Sequence, residues 1–320
     1  MKTILVSGAS GIVGYGALKA LKSAELNLRL IGTTIYEDSV AQGFCDIFEK
    51  APMTTAPNYL DWLVGVVGKH QIDMIIPGID ADHLHWSQNR ASLTNAGTKV
   101  LLNNPELVDL CKDKWLFYNR LINKGALYAI PTSLSSDFSS MSEAYGLPLL
   151  LKPREGFGSK GIVRVSDEKS WNQHKDRIGS ILMVQPVVGS DDEEYTTSAY
   201  CDGEGGYYAC MTLRRELSID GYTEKAEVIE STQIHEALSV LCAIFCPVGP
   251  TNFQFRKTND GLKLLEINPR ISSSTSIRTA FGYNESKMAV EEHLFKITPV
   301  QPTIKQGRAV RYIEDKIFFK

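Results

Sequence analysis

Residues 251–270 run TNFQFRKTNDGLKLLEINPR. Two short segments of alternating character flank Asn259-Asp260-Gly261, and a short glycine-containing loop between such segments predicts a β-hairpin. With all three residues in the loop, Thr258 faces Leu262, Arg256 faces Leu264, Gln254 faces Glu266 and Asn252 faces Asn268. Alternation then sets Gln254, Glu266, Asn268 and Arg270 on one face and Phe253, Phe255, Leu265 and Ile267 on the other, the core face. A two-residue loop would instead set Gln254 opposite Ile267 and disperse the polar group.

A carboxylate and two amides beside a guanidinium match what a magnesium–polyphosphate site needs. Mg²⁺ takes hard oxygen ligands, commonly one or two carboxylates with substrate phosphates and water, and an arginine can neutralise a transferring phosphoryl group. Gln254, Glu266 and Asn268 are the candidate ligands, for Mg²⁺ or alternatively Mn²⁺, and Arg270 is the candidate catalytic cation. The competing reading is a half-exposed hairpin with ordinary polar residues outward.

At 320 residues the chain has room for two domains, each with its own core. A hydrophobic content of 43%, a charged content of 22% and a net charge of −3 describe an ordinary soluble globular chain with no basic field for nucleic acid. The longest apolar run, Ala237–Phe245, is too short to span a membrane, and Ile4-Leu5-Val6 is too short for a signal sequence. Six cysteines without a CxxC pair suit a reducing cytoplasm better than a disulfide framework.

From the N-terminus, Thr3–Ser7 reads as a buried strand, followed by Gly8, Gly11 and Gly14 and a helix to about Ala24. Strand, glycine turn and helix also form the dinucleotide-binding pattern, so an NAD(P)-dependent reductase stands as a rival. The spacing here is GxxGxxG, however, and the glycines are equally explained by a tight turn. Ile72–Pro77 is a second strand, with Asp80 at its carboxyl end, where α/β sheets bind ligands and where Asp also starts helices. A helix over Asp82–Ala96 and a strand over Lys99–Leu102 close this alternating region. Pro105 then opens a helical stretch containing Asp113-Lys114. Further on, a strand ends at Lys152-Pro153 and runs into Gly156-Phe157-Gly158-Ser159-Lys160-Gly161, where mobile glycines can fold backbone N–H groups over phosphates beside the lysine charge. Ile181–Val187 is a strand carrying Gln185-Pro186-Val187, and Glu194-Tyr195 follows an acidic run. Arg214, Arg215 and Lys225 are concentrated cations able to hold a carboxylate or phosphate. Ile234, Leu238, Leu241 and Phe245 mark a core-facing helix stripe.

Gln254 with Glu266-Ile267-Asn268-Pro269-Arg270, preceded in order by Asp113-Lys114 and the Lys152 glycine loop, resembles the ATP-grasp superfamily, particularly the branch related to the large subunit of carbamoyl-phosphate synthase. The resemblance runs over nearly the whole chain. It implies an α/β fold with a Rossmann-like pre-ATP-grasp domain over 1–110 and an α+β ATP-grasp region over 111–320, its small lobe near 126–187 and its large lobe near 188–320. It further implies that Lys114, Lys152, Gly158, Ser159, Lys160, Gly161, the hinge Gln185-Pro186-Val187 and Glu194 hold ATP, with Lys152 and Arg270 acting in catalysis. The implied reaction joins a small-molecule carboxylate to an amine or ammonia through an acyl phosphate; a non-catalytic nucleotide-binding subunit is the second alternative. A homo-oligomer is left open.

The chain departs from that branch at the substrate end. Ser273 stands where a second arginine is expected, and the loop Asp220-Gly221-Tyr222-Thr223 has no histidine. A second synthetase half is also missing. A small oxyanion would lose its bidentate partner here, so the expectation is a stand-alone ligase for a larger organic or sugar acid. Arg214, Arg215, Lys225, Ser273 and Arg278 are the candidate substrate residues, with Arg278 a clamp for the acid's carboxylate or a surface arginine.

Overall fold

The computed structural model describes residues 1–156 and 161–319. The N-terminal part alternates β1 (Lys2–Val6), α1 (Ile12–Lys22), β2 (Leu28–Thr34), β3 (Ile47–Lys50), α2 (Tyr59–His70), β4 (Met74–Ile76), α3 (Asp80–Gln88), α4 (Arg90–Asn95) and β5 (Lys99–Val100). Its strands form one parallel sheet in the order β3-β2-β1-β4-β5. A parallel sheet is covered on both faces, and so its central strands are unbroken apolar runs, Ile4-Leu5-Val6 and Met74-Ile75-Ile76, all fully buried. Leu5, Ile31 and Ile75 meet α2 and Trp86 of α3 on one face, while Ile4, Val6, Met74 and Ile76 meet α1 on the other. The single helix expected over Asp82–Ala96 is broken at Asn89, which caps α3 and turns its side-chain N–H onto the His85 carbonyl at 2.9 Å.

The glycine turn is filled by the chain itself. Gly8 is left-handed at φ +56°, and a Cβ on Gly14 would lie 2.3 Å from the Gly8 carbonyl oxygen. Close packing of β1, α1 and the loop at Gly78 therefore accounts for the glycines without a dinucleotide.

Next come α5 (Pro105–Leu110) and α6 (Lys114–Asn123), then α7 (Phe138–Tyr145), β6 (Leu149–Pro153), β7 (Val163–Val165), α8 (Glu168–Asn172) and β8 (Leu182–Pro186). The strands make a small antiparallel sheet, β7-β6-β8, with its own core of Leu149, Leu151, Val165, Trp171, Leu182 and Val184. The remainder comprises β9 (Glu194–Asp202), β10 (Tyr207–Leu217), β11 (Thr223–Ile229), α9 (Thr232–Phe245), β12 (Val248–Thr258), β13 (Gly261–Asn268), α10 (Thr275–Ala280), α11 (Glu285–Val290) and β14 (Arg308–Val310). Its antiparallel sheet has the order β13-β12-β9-β10-β11-β14. The α9 stripe Ile234, Leu238, Leu241 and Phe245 buries against Phe253, Phe255, Leu264 and Ile267 on one face of this sheet. The opposite face, through Tyr200, Met211 and Leu213, shares a continuous core with α11, α1 and the parallel sheet.

The hairpin corrects part of the expected register. Only Asn259 and Asp260 form the loop, so Thr258 faces Gly261 and Arg256 faces Lys263. A β-bulge then leaves Leu265 unpaired, and beyond it Gln254 faces Glu266 and Asn252 faces Asn268. The bulge adds the residue that the shorter loop removes, so the polar face survives. Leu265 consequently turns to the cleft beside Glu266 instead of joining Phe253 and Phe255 in the core. No helix among the described residues is long and apolar enough to cross a membrane, and the six cysteines are free thiols.

Candidate active site

A cleft lies between the small β7-β6-β8 sheet and the polar face of the large one, closed at one end by the N-terminal domain through Val13 and Asp80. Lys114, Lys152, Gln185, Pro186, Glu194, Arg215, Gln254, Glu266, Asn268, Arg270 and Ser273 all line it. Distant segments converge here because helix starts and strand ends are pinned together. Asp113 caps α6 by accepting from the Trp115 and Leu116 amides, and its carboxylate also accepts from Arg154 just past β6. The cap holds the first turn of α6 against the small lobe, where Lys114 donates to the Gly156 carbonyl at 2.7 Å.

The electrostatics follow from crowding opposite charges in a dry place. Burial lowers the Lys152 pKa, with Glu266 and Glu194 opposing. Lys114 is lowered by burial and by its neighbour Lys152. Burial pushes the Glu266 carboxyl up, yet Lys152, Asn268, Lys114 and Arg270 outweigh it and hold the group below its ordinary value. Glu266 is thus an ionised carboxylate in a cationic cleft, which suits a divalent cation or a phosphate-bearing ligand. Arg270 donates from Nε to Asp80 Oδ1 at 2.7 Å, and from its Nη atoms to the Ile271 carbonyl and Asn268 Oδ1. Asp80 starts α3 and serves as partner to this arginine, which follows β13.

Glu194 belongs to a buried arginine network. Arg215 donates to its Oε1 from Nε and Nη2 at 3.1 and 2.8 Å, and Arg256 donates to its Oε2 at 2.5 Å. Arg215 Nη2 also donates to Gln254 Oε1 at 2.7 Å.

Several expected residues fall elsewhere. Arg214 and Lys225, expected at the substrate, alternate to the outer face, where exposed pairs with Glu227 and Glu216 hold them away from the cleft lining. Arg278 is neither clamp nor surface residue. It is fully buried, donating to Ser272 Oγ, the Thr196 carbonyl and hydroxyl, and Asn252 Oδ1. At the hinge Val188 lines the cleft, whereas Val187 turns to a neighbouring depression. Gly161 lies beside Pro153; Gly158, Ser159 and Lys160 lie outside the described residues.

The sequence reading missed Arg256, Asn252, Ser272 and Arg311. Position gave a signal for two of them, since Asn252 and Arg256 are each two residues from Gln254 and so share its face. Arg311 gave none; it arrives from beyond β14 and donates to the carbonyls of Thr223 and Ser273 at 2.6 and 2.5 Å, fixing the Ser-rich turn.

Among the described residues, no three His, Cys, Asp or Glu side chains gather as a metal cluster. The donor set is the Glu266 carboxylate with amides beside it, and this fits Mg²⁺ that completes its shell with phosphate oxygens and water.

Residues 181–316 match the family described as ATP-grasp in the biosynthetic pathway with Ter operon. Among curated proteins, the carbamoyl phosphate synthase large chain of Corynebacterium glutamicum is 26% identical over 215 residues, covering 62% of this chain. The chain spans only 19% of that protein's length. A formate-dependent phosphoribosylglycinamide formyltransferase of a Synechococcus strain is 27% identical over 310 residues, covering 92% of this chain and 75% of the relative. Among solved structures, N5-carboxyaminoimidazole synthetase from Staphylococcus aureus in complex with ADP superposes with a TM-score of 0.71 at 16% identity, covering 95% of this chain and 80% of that one. Biotin carboxylase from Campylobacter jejuni gives a TM-score of 0.74 at 16% identity, covering 96% and 74%.

Proposed function

We propose that this protein is an ATP-dependent ligase joining a carboxylate to an amine or ammonia, with release of ADP and phosphate. The observation that carries the reading is the meeting of Lys114, Lys152, Glu266 and Arg270, from four separate segments, around one cleft. In this reading residues 1–110 are a Rossmann-like pre-ATP-grasp domain, and residues 126–187 and 188–320 are the two lobes that enclose ATP. Adenine sits among Ile130, Leu150, Ile162 and Leu265, against the hinge Gln185–Val188, and the phosphates extend toward Lys152 and Lys114.

The acid's carboxylate oxygen attacks the γ-phosphorus and the bond to the ADP oxygen breaks, giving an acyl phosphate. The amine nitrogen then attacks the acyl carbon, phosphate leaves, and the nitrogen gives up a proton. Lys152 and Arg270 offset charge on the transferring group, and positioning does most of the work. Mg²⁺, held by Glu266 with Asn268 beside it, supplies further charge neutralisation when bound. Val13, Gly221, Ser272 and Ser273 also line the cleft that Arg270 lines. These small side chains leave room for an acid larger than bicarbonate. Free thiols suit a reducing compartment, and we place the reaction in the cytoplasm.

A screen of acid and amine pairs for ADP release tests the proposal. Thermal-shift titration should show stabilisation by Mg·ATP or Mg·ADP and none by NAD(H) or NADP(H). Stabilisation by the dinucleotides alone would return the reductase to consideration. Carbamoyl phosphate formed from bicarbonate as fast as from the best organic acid would refute the larger-acid assignment.

A further inference from the structure

We infer that Arg311 is a positioning residue for the acid substrate: from outside the cleft lining it ties together the two loops that carry Gly221 and Ser273. The inference rests on the ligase reading above, which seats the acid beside those residues. Three segments meet there: the loop 218–222 between β10 and β11, the turn 272–274 ahead of α10, and the start of α1, which brings Val13. Arg311 arrives from a fourth, just past the short edge strand β14. Its amide donates to the Glu224 carbonyl at 2.8 Å and extends the β11–β14 pairing by one step. Its side chain then spans both loops. Nε donates to the Thr223 carbonyl at 2.6 Å, and Nη2 donates to the Ser273 carbonyl at 2.5 Å. Arg311 does not line the cleft, whereas Gly221, Ser272 and Ser273 do, so it acts on the pocket through those loops.

A guanidinium suits this place because its donors lie in one rigid plane, so a single side chain holds two carbonyls of different loops in a fixed relation. Burial lowers its pKa, with Tyr15 and Tyr222 opposing. Tyr15 belongs to α1 and Tyr222 to the first loop, so the cation sits where the three segments come together. The first loop is otherwise lightly held. Gly221 N–H donates to the Ser218 carbonyl at 2.9 Å, Ser218 N–H donates to the Tyr222 carbonyl at 2.8 Å, and Ile219 at the tip is fully exposed. The two loops also meet through the Thr223 and Ser274 hydroxyls at 2.9 Å, both buried. Without the guanidinium, that contact is the one side-chain hydrogen bond joining the loops among the described residues. A substrate held for attack on phosphorus tolerates little displacement of the wall that orients it. The nucleotide, by contrast, is assigned to Lys114, Lys152 and the hinge, which belong to other segments.

Hydrogen–deuterium exchange and steady-state kinetics of Arg311→Ala test this together. Amides in 218–224 and 271–276 should exchange faster by about tenfold or more, while those of β6 and β8 exchange as in the parent. The Kd of Mg·ADP, read by thermal shift, should stay within about twofold. Formate, acetate, succinate and gluconate serve as acid probes with Mg·ATP and ammonia. Where an acid supports ADP release, its KM should rise by about tenfold and the KM for ATP should stay within about twofold. Millimolar guanidinium chloride should lower the raised acid KM, and sodium chloride at equal ionic strength should not. If the alanine variant does not fold, Arg311→Lys decides by the same split between the two KM values, since it keeps the charge but loses the planar fork. Unchanged exchange in both loops, an ATP KM raised as much as the acid KM, or a raised acid KM that guanidinium leaves unaltered in the alanine variant overturns the inference and leaves the ligase reading standing. ADP release that depends on none of the acids overturns the ligase reading instead, and the exchange data then decide the tie between the loops alone.

Discussion

Asp80→Asn tests whether the start of α3 sets the position of Arg270. The two side chains meet at 2.7 Å and are 27% and 16% exposed, so water screens the pair only in part. An exposed ion pair is worth about 0.2–1 kcal/mol and breaking a buried one costs about 3–5 kcal/mol. Asparagine keeps an acceptor for the still-charged Arg270 but removes the ion pair, so the loss for this partly screened pair is about 1–2 kcal/mol. If Arg270 acts chiefly on the transferring phosphoryl group, that loss appears as a 5–30-fold drop, roughly, in kcat for ADP release. Removing a carboxylate beside a phosphate-binding cation should not raise the KM for ATP; it should leave it unchanged or lower it. The melting temperature should fall by about 2–8 °C, since each 1 kcal/mol moves a domain of this size by roughly 2–4 °C. Steady-state kinetics of ADP release with a parallel melt separates the two effects. A lowered melting temperature with unchanged kcat would refute the reasoning, because the ion pair would then hold the fold together without placing Arg270.

Glu266→Gln should fold and lose turnover by about 10²–10³-fold, read by ADP release, because it removes an ionised carboxylate from a preorganised charged site. Lys152→Met should shrink the thermal shift produced by Mg·ATP, since it removes a cation from the cleft that would hold the phosphates. His83 is buried neutral, pushed down to about 4 by burial and then by Arg270, with Asp80 opposing. The unfolded chain, with an ordinary His near 6.5, binds the extra proton between pH 6.5 and about 4, so His83 costs stability progressively as pH falls through that window, by up to about 3 kcal/mol. Denaturant melts of His83→Phe across the window should show a flatter pH dependence than the parent; an equal slope would place the effect elsewhere. Arg278→Leu should destabilise by about 3–5 kcal/mol in denaturant, because its buried hydrogen-bonded oxygens and the neighbouring Glu285 would lose their cation.

The sequence was most legible where a local pattern and a pairing rule agreed. Unbroken apolar strands separated by helices point to the parallel sheet, and the α9 stripe points to the face it covers. The bulge was also readable. Leu262 and Leu264 keep a period of two on the core face, but the next core residue is Ile267, three positions on, so one extra residue must sit between them. Counting the loop alone placed the distal pairs correctly through two offsetting differences, a shorter turn and an inserted residue. At Leu265 the period was the better guide.

The buried arginines were not legible, for a physical reason. An arginine enters a protein interior only when acceptors from elsewhere meet its donors. For Arg278 these come from Thr196, Asn252 and Ser272, and for Arg215 from Glu194 and Gln254. Thr196, Asn252 and Gln254 lie on β9 and β12, neighbours in the large sheet, with Glu194 at the start of β9. Their shared face exists only after two strands separated by α9 have paired. In the sequence, Arg214 and Arg215 are adjacent and chemically identical, and alternation guarantees that only one can face the cleft. What selects Arg215 is the strand register, which sets Arg214 beside Glu227 and Tyr195 while Arg215 reaches Glu194. The same register brings Gln254 next to Arg215, and so one pairing choice in the large sheet determines which arginine is buried and which amide it meets.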